Sequence, residues 1–136
     1  DPAAPCRARL SRYRPLGVAK DPTPVLLIHG YSASGTTFAH PALPEGGLAA
    51  HLARHGRDAW VLDLRSSCGL PGATHPFTFE QIGYADIPLA IGRVLERTGA
   101  TQLDVVAHCM GAAMLGLALL GDYPTRQGED EPHDVY

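Results

Sequence analysis

The sequence predicts an α/β protein, a mostly parallel sheet with helices on both faces, and three observations carry that prediction. Short apolar runs alternate with helical patterns, the first run is unbroken rather than alternating, and turn residues close each run. Strands that alternate with helices become parallel strands joined by right-handed crossovers. A parallel strand covered on both faces needs apolar residues at every position, which suits an unbroken run. In sheets of this kind the chemistry gathers beyond the carboxyl ends of the strands.

Residues 1–24 read as an N-terminal arm or edge strands, with Arg7, Arg9, Arg12 and Arg14 on a solvated segment. Residues 25–121 form the core. Val25-Leu26-Leu27-Ile28 is its first strand and stops at His29-Gly30. A helix follows over residues 47–56, with Leu48, Ala49 and Leu52 on one face and Gly56 as its stop. Ala59-Trp60-Val61-Leu62 is the second strand and ends at Asp63-Leu64-Arg65. Asp86 is placed to cap a helix from Ile87-Pro88, where proline is tolerated because the first-turn N–H has no partner. Ile87, Ile91, Val94 and Leu95 stripe that helix, and Gly99 closes it. The third strand is Leu103–Ala107, ending at His108-Cys109. Met110 to Leu120 is apolar all round and is expected to be buried, with Gly111, Ala112, Ala113 and Gly116 admitting a close approach to the sheet. Residues 122–136 are acidic and aperiodic, a loop or tail.

Composition narrows the function classes. A chain of 136 residues with 45% hydrophobic and 18% charged residues can build a core, as one domain or part of a larger one. A formal charge of −3 gives no basic footprint for nucleic acid. Cys6, Cys68 and Cys109 are odd in number and lack CxxC spacing, so neither a disulfide framework nor a zinc site is expected. The histidines form no ligand pairs; His51 and His55 lie four apart but read as a solvated helix face. No metal and no cofactor is expected. No apolar run is long enough to span a membrane, and no leader pattern opens the chain, so the expected compartment is the cytoplasm. Asp1 in place of Met reads as a chain that was processed or cut from something longer.

The sharpest motif is Ala107-His108-Cys109-Met110-Gly111, lying between a predicted strand and a predicted helix. In that context it reads as a nucleophile elbow, a tight turn that forces the central residue into positive φ. Residues two before and two after must be small, which Ala107 and Gly111 satisfy. The turn lifts the Cys109 sulfur above the sheet edge, facing the positive end of a helix dipole that stabilises an anion. Most free cysteines are small buried hydrophobes, but this context favours a nucleophile, present or former. His108 leaves the turn in another direction and reads as packed or loop-facing rather than as a base. The second motif, His29-Gly30-Tyr31-Ser32-Ala33-Ser34-Gly35, matches no phosphate-binding pattern. It is either an ordinary loop or a source of backbone N–H groups that, with the N–H of Met110, receive a developing oxyanion; Tyr31 is the favoured donor. Asp63 reads as a loop-bracing carboxylate, given its neighbour Arg65 and the turn residues that follow.

Taken together, Val25-Leu26-Leu27-Ile28-His29-Gly30, Asp63-Leu64-Arg65 and Ala107-His108-Cys109-Met110-Gly111 resemble the N-terminal half of the α/β-hydrolase fold, over residues from about Arg14 to Leu120. The chain is similar in particular to hydrolase domains associated with GMC-type oxidoreductases. It is also similar to polyhydroxyalkanoate synthases and dienelactone hydrolases in carrying Cys where most members carry Ser. The resemblance implies Cys109 as nucleophile, the amides of Tyr31 and Met110 as oxyanion hole, and His29, Gly30, Ala107, His108 and Gly111 as supporting elbow and loop. It implies hydrolysis or transfer of an ester or thioester acyl group. The family places its acid and catalytic His on later strands. His133 and Asp134 follow the elbow helix with no strand between, and are poor substitutes. Two readings therefore stand. One is a cysteine-dependent hydrolase or acyltransferase completed by a further segment or a partner chain, a GMC-type oxidoreductase among the candidates. The other is a non-catalytic half-fold that docks on a partner protein.

Overall fold

The computed structural model describes residues 7–18 and 21–121. Cys6 and the 122–136 stretch, with His133 and Asp134, lie outside the described residues. Four strands form one mixed sheet: β1 (Arg9–Tyr13), β2 (Val25–Ile28), β3 (Ala59–Asp63) and β4 (Asp104–Ala107), in the order β1-β3-β2-β4. β2, β3 and β4 run parallel, with Val25 opposite both Ala59 and Asp104 and Ile28 opposite both Leu62 and Ala107. β1 joins the outside of β3 antiparallel, pairing Arg9 with Asp63 and Tyr13 with Ala59.

Side chains on a strand alternate between faces, so the unbroken runs of β2 and β3 feed two cores. Leu26, Ile28, Trp60 and Leu62 meet Ile82, Ile87, Ala90, Val94 and Met114 on one face. Val25, Leu27, Ala59 and Val61 meet Phe38 and Ala49 on the other. The second core is closed by α1 (Leu48–Arg54), which buries Ala49 and Ala53. Leu48, expected on that buried face, is 38% exposed, because the small alanines let the backbone approach and turn Leu48 outward. Gly56, at φ 82°, ends the helix as expected.

The first core is closed by a longer helical stretch than the sequence indicated. It runs through α2 (Phe79–Gln81), a π-helical segment over Ile82–Asp86, and α3 (Ile87–Thr98). Its start is a capping box at Thr78: the hydroxyl accepts from Gln81 N (3.2 Å), and Gln81 Oε1 accepts from Thr78 N (3.0 Å). Asp86 does not cap α3; its carboxylate is buried and takes two bonds from Arg65, Nε to Oδ2 at 2.8 Å and Nη2 to Oδ1 at 2.6 Å. Gly99, at φ 71°, closes α3 as the pattern required.

α4 (Met110–Leu120) departs from expectation in packing. Gly111 and Met114 are buried, but Ala112 and Ala113 are exposed, and Leu119 and Leu120 are 74% and 79% exposed. Gly116 has no neighbour within 4 Å of where a Cβ would stand. Only one stripe of this apolar helix meets protein among the described residues. β4 behaves alike: Val105 and Ala107 pack on the first core, while Val106 is 41% exposed.

The arginines of β1 are paired rather than free in solvent. Arg9 binds Asp63 (Nη2 to Oδ2, 2.8 Å), and Arg12 binds Asp58 (Nη2 to Oδ2, 2.7 Å) while its guanidinium lies 4.9 Å from the Trp60 ring centre. A cation over an indole face is attracted to the ring's negative face, so β1 is fastened to β3 at both ends of the pair.

Candidate active site

The shared register of β2, β3 and β4 ends the three strands level, so the loops that follow start side by side. Beyond β4, Cys109 adopts φ 55° and ψ −126°, directly ahead of α4. A side chain is sterically crowded in that region of backbone space and persists there only when its surroundings enforce it. Here they do: His108 N donates to Ile28 O, Gly111 N to His108 O and Ala112 N to Cys109 O, each at 3.0 Å. The Cys109 side chain is exposed.

Gly111 must be small, but for a different reason from the one the motif suggested. The atoms pressing on it belong to the end of β2, not to Ala107. A Cβ there would collide with His29 O and stand 3.1 Å from both the carbonyl oxygen and Cγ2 of Ile28. Gly30 is constrained in turn by the elbow: its Cβ would stand 2.9 Å from Cys109 Cβ and 3.3 Å from His108 Nδ1 and O. Two glycines thus press the loop after β2 onto the turn carrying the sulfur. The amides of Tyr31 and Met110, on either side of this contact, donate no hydrogen bond among the described residues.

His29 is fully buried and spends both ring nitrogens on the scaffold. Nδ1 donates to Gly30 O (2.7 Å) and Nε2 accepts from Leu64 N (3.1 Å). A carbonyl can only accept and an amide can only donate, so the ring is held neutral with its proton on Nδ1. Burial pushes its pKa below the usual histidine value, against smaller opposing effects of the Gly30 bond and Asp63. Asp63 is likewise consumed. Its carboxylate accepts from Gly35 N (2.6 Å), Ser67 Oγ (2.7 Å) and Arg9. Burial alone would raise its pKa, but the bonds from Gly35, Ser67 and Arg9 together outweigh it and hold the carboxyl below the usual range. Bracing is therefore its geometry, and the arginine concerned is Arg9; Arg65 has turned to Asp86.

His108 is exposed, and no described residue hydrogen-bonds the Cys109 sulfur. Among the described residues no group of three or more His, Cys, Asp or Glu side chains is gathered to hold a metal, and no helix is long and apolar enough to cross a membrane.

One part of this region went unread in the sequence. The Tyr31 ring, 55% exposed, stands edge-on to Phe79, with centres 6.0 Å apart and planes at 87°. With the segment from Thr74 to Glu80 it lines a cleft of about 560 Å³. The Thr78-Phe79-Glu80-Gln81 capping pattern was the signal that could have placed Phe79 on a fixed helix start.

The chain is similar to several lipases. It is 31% identical over 113 residues to a tear acid lipase-like protein of Mesocricetus auratus, covering 76% of this chain and 27% of that one. It is 30% identical over 99 residues to the gastric triacylglycerol lipase of Homo sapiens, covering 66% and 25%. The gastric triacylglycerol lipase of Rattus norvegicus matches at 28% over 110 residues. The chain spans about a quarter of the length of these relatives. Among solved structures, the Bacillus licheniformis lipase BlEst2 in its propeptide form superposes with a TM-score of 0.56 at 18% identity, over 81% of this chain and 20% of that one. That likeness bears on the fold. The profile of the α/β-hydrolase fold family matches residues 23–126, so the chain belongs to the α/β-hydrolase fold family.

Proposed function

We propose that this chain carries the nucleophile and the oxyanion-binding part of an ester or thioester hydrolase or acyltransferase that works through an acyl-cysteine on Cys109. The lipase names of its relatives support ester chemistry in general. The observation that carries the cysteine reading is the strained, exposed Cys109 next to the amides of Tyr31 and Met110, which donate no hydrogen bond among the described residues. In the reaction the Cys109 sulfur attacks the carbonyl carbon, and the carbonyl oxygen takes the negative charge against the amides of Tyr31 and Met110. Collapse expels the alcohol or thiol, which takes up a proton. Water, or an acceptor alcohol, then attacks the thioester, releases the acyl group and returns the thiol. The proton carriers, an acid and a His, come in this reading from further segments or a partner chain, since His29 and Asp63 are already saturated. A GMC-type oxidoreductase as that partner rests on the sequence resemblance alone. A cytoplasmic location rests on the sequence reading alone.

The test is hydrolysis of p-nitrophenyl butyrate by the wild type and by Cys109→Ala, with iodoacetamide labelling in parallel. Loss of activity in the variant and faster labelling of Cys109 than of Cys6 or Cys68 are expected. Equal rates would end the enzyme reading for this chain. In that event the second reading, a non-catalytic half-fold that docks on a partner protein, gains. It is favoured by the apolar sides of α4 and β4 that are exposed among the described residues at Val106, Leu119 and Leu120.

A further inference from the structure

We infer that His51 and His55, at the last turn and cap of α1, form a two-imidazole site for a divalent cation of the kind imidazole prefers, zinc or copper. The inference is independent of the acyl-cysteine reading. The spacing alone reads as a solvated helix face, and the hydrogen bonds around the two rings supply what the spacing lacks.

Residues four apart on a helix share a face, and His pairs at this spacing hold one zinc ion in helical zinc sites. Here the two rings already meet, with centres 4.2 Å apart and planes 31° from parallel. A histidine binds a metal through a nitrogen that carries no proton, and the bond made by its other nitrogen decides which one that is. His55 Nδ1 lies 2.8 Å from His51 O. A carbonyl only accepts, so in the neutral ring Nδ1 holds the proton and Nε2 keeps its lone pair. His51 Nδ1 faces Glu45 Oε2 at 3.3 Å, and Arg54 Nη2 donates to the same oxygen at 2.8 Å. A carboxylate ion-paired to arginine also only accepts, so the neutral His51 ring takes the same tautomer. Both Nε2 atoms are thus the bare ones. A carboxylate behind one ring and a carbonyl behind the other are the partners that orient metal-bound histidines.

The setting says which cation and what role. Imidazole donors suit zinc and copper, whereas magnesium and calcium take oxygen donors. The His51 side chain is 50% exposed and His55 is exposed, so water fills the remaining coordination positions. The Arg54 charge, which would repel a cation, is countered by Glu45. Leu52 follows His51, at the place where hydrolytic zinc helices carry their glutamate base, so the ion has no hydrolytic role here. It acts as a clip that ties the last turn of α1 to its cap residue. The two rings come together only when the helix is formed, so the cation favours the folded chain.

The experiment titrates the full chain with Zn²⁺ and, separately, with Mg²⁺, following the histidine ring signals by NMR. Zn²⁺ should shift the His51 and His55 rings together, with one affinity, and Mg²⁺ should shift neither. His51→Ala and His55→Ala should each weaken this binding about tenfold or more, since losing a ligand costs at least as much as losing the group behind it. Glu45→Ala should weaken it by a similar factor, and Glu45→Gln, whose side-chain oxygen still accepts from His51, should restore part of the loss. Zinc should also raise the urea midpoint of the wild type and leave that of His55→Ala unmoved. The side chains replaced are exposed, and matching midpoints without zinc check that the variants fold. The cysteines are present in every variant, so any zinc they take is common to all. The proposal is overturned if Zn²⁺ moves neither ring or only one, if Mg²⁺ moves both as Zn²⁺ does, or if removing either histidine leaves zinc affinity unchanged. No effect of Glu45→Ala would overturn the positioning role given to Glu45.

Discussion

Cys109 holds a backbone conformation, φ 55° and ψ −126°, that costs a residue with a side chain on the order of 1–3 kcal/mol. Replacing it by glycine relieves the strain, less the roughly 0.5–1 kcal/mol that glycine adds to the entropy lost on folding. Cys109→Gly is therefore expected to stabilise the fold by about 1 kcal/mol in urea unfolding while abolishing any ester hydrolysis. A destabilised variant would mean that the turn is not strained. Two positions away the sign reverses. Gly111→Ala drives a methyl group into His29 O and should cost about 1–3 kcal/mol or more as overpacking, read in the same assay. His29 adds a pH dependence. Its folded pKa lies below its ordinary value of 6.5, so in the window below 6.5 the unfolded chain binds more protons than the folded one. Stability is then full above that value and declines as pH falls toward the folded pKa. His29→Gln should remove this step from unfolding free energies measured between pH 7.5 and 5, and an unchanged slope would refute the assignment. Asp63 titrates in a separate, lower window: its stabilisation is present above its ordinary 3.8 and is lost as pH falls through its depressed folded pKa. At this scale the elbow was legible because Ala107, Cys109 and Gly111 obey local turn geometry. The neighbour that makes Gly111 obligatory belongs to β2, a strand distant in sequence, and no local pattern announces it.

The elements repeat that division between local and distant causes. β2 and β3 were legible from their unbroken apolar runs, and α3 from its stripe and Gly99. The start of the long helical stretch was misread because Asp86 looked like a cap when taken alone. Its carboxylate answers instead to Arg65, 21 residues earlier in sequence, and the true cap is the local Thr78–Gln81 box. The Arg65–Asp86 pair anchors the π-helical segment to the loop after β3. Within that segment Gly83 lies so close to α4 that a Cβ would stand 2.8 Å from Leu117 Cβ and 3.0 Å from Met114 O. Removing one member leaves the other charge buried, which costs about 3–5 kcal/mol, whereas replacing both with apolar residues of similar volume is close to neutral. Arg65→Met alone and Asp86→Leu alone should each destabilise on that scale in urea unfolding, and the double variant should recover most of the loss. A double variant as unstable as the sum of the two would show that the other contacts of these residues, rather than their charges, hold the segment.

For the molecule as a whole, the sheet order β1-β3-β2-β4 leaves β4 at one edge with the partly uncovered α4 beside it. The sequence showed that α4 is apolar all round, which argues for burial, but whether something lies against each face is a property of neighbours far along the chain or outside it. Among the described residues only one stripe is met. The relatives that match are about three times as long. An edge strand that is unpaired on its outer side among the described residues, next to exposed leucines, is a template for association. Charge placed on that face should block association without touching the two cores. Val106→Lys combined with Leu119→Lys is expected to lower concentration-dependent association in sedimentation velocity and to reduce binding of a hydrophobic dye. The unfolding free energy should stay within about 0.5 kcal/mol of wild type, as for surface substitutions generally. A large loss of stability would place Val106 and Leu119 inside a packed core of this chain, and unchanged sedimentation and dye binding would show that the exposed face of α4 and β4 is not what makes the chain associate.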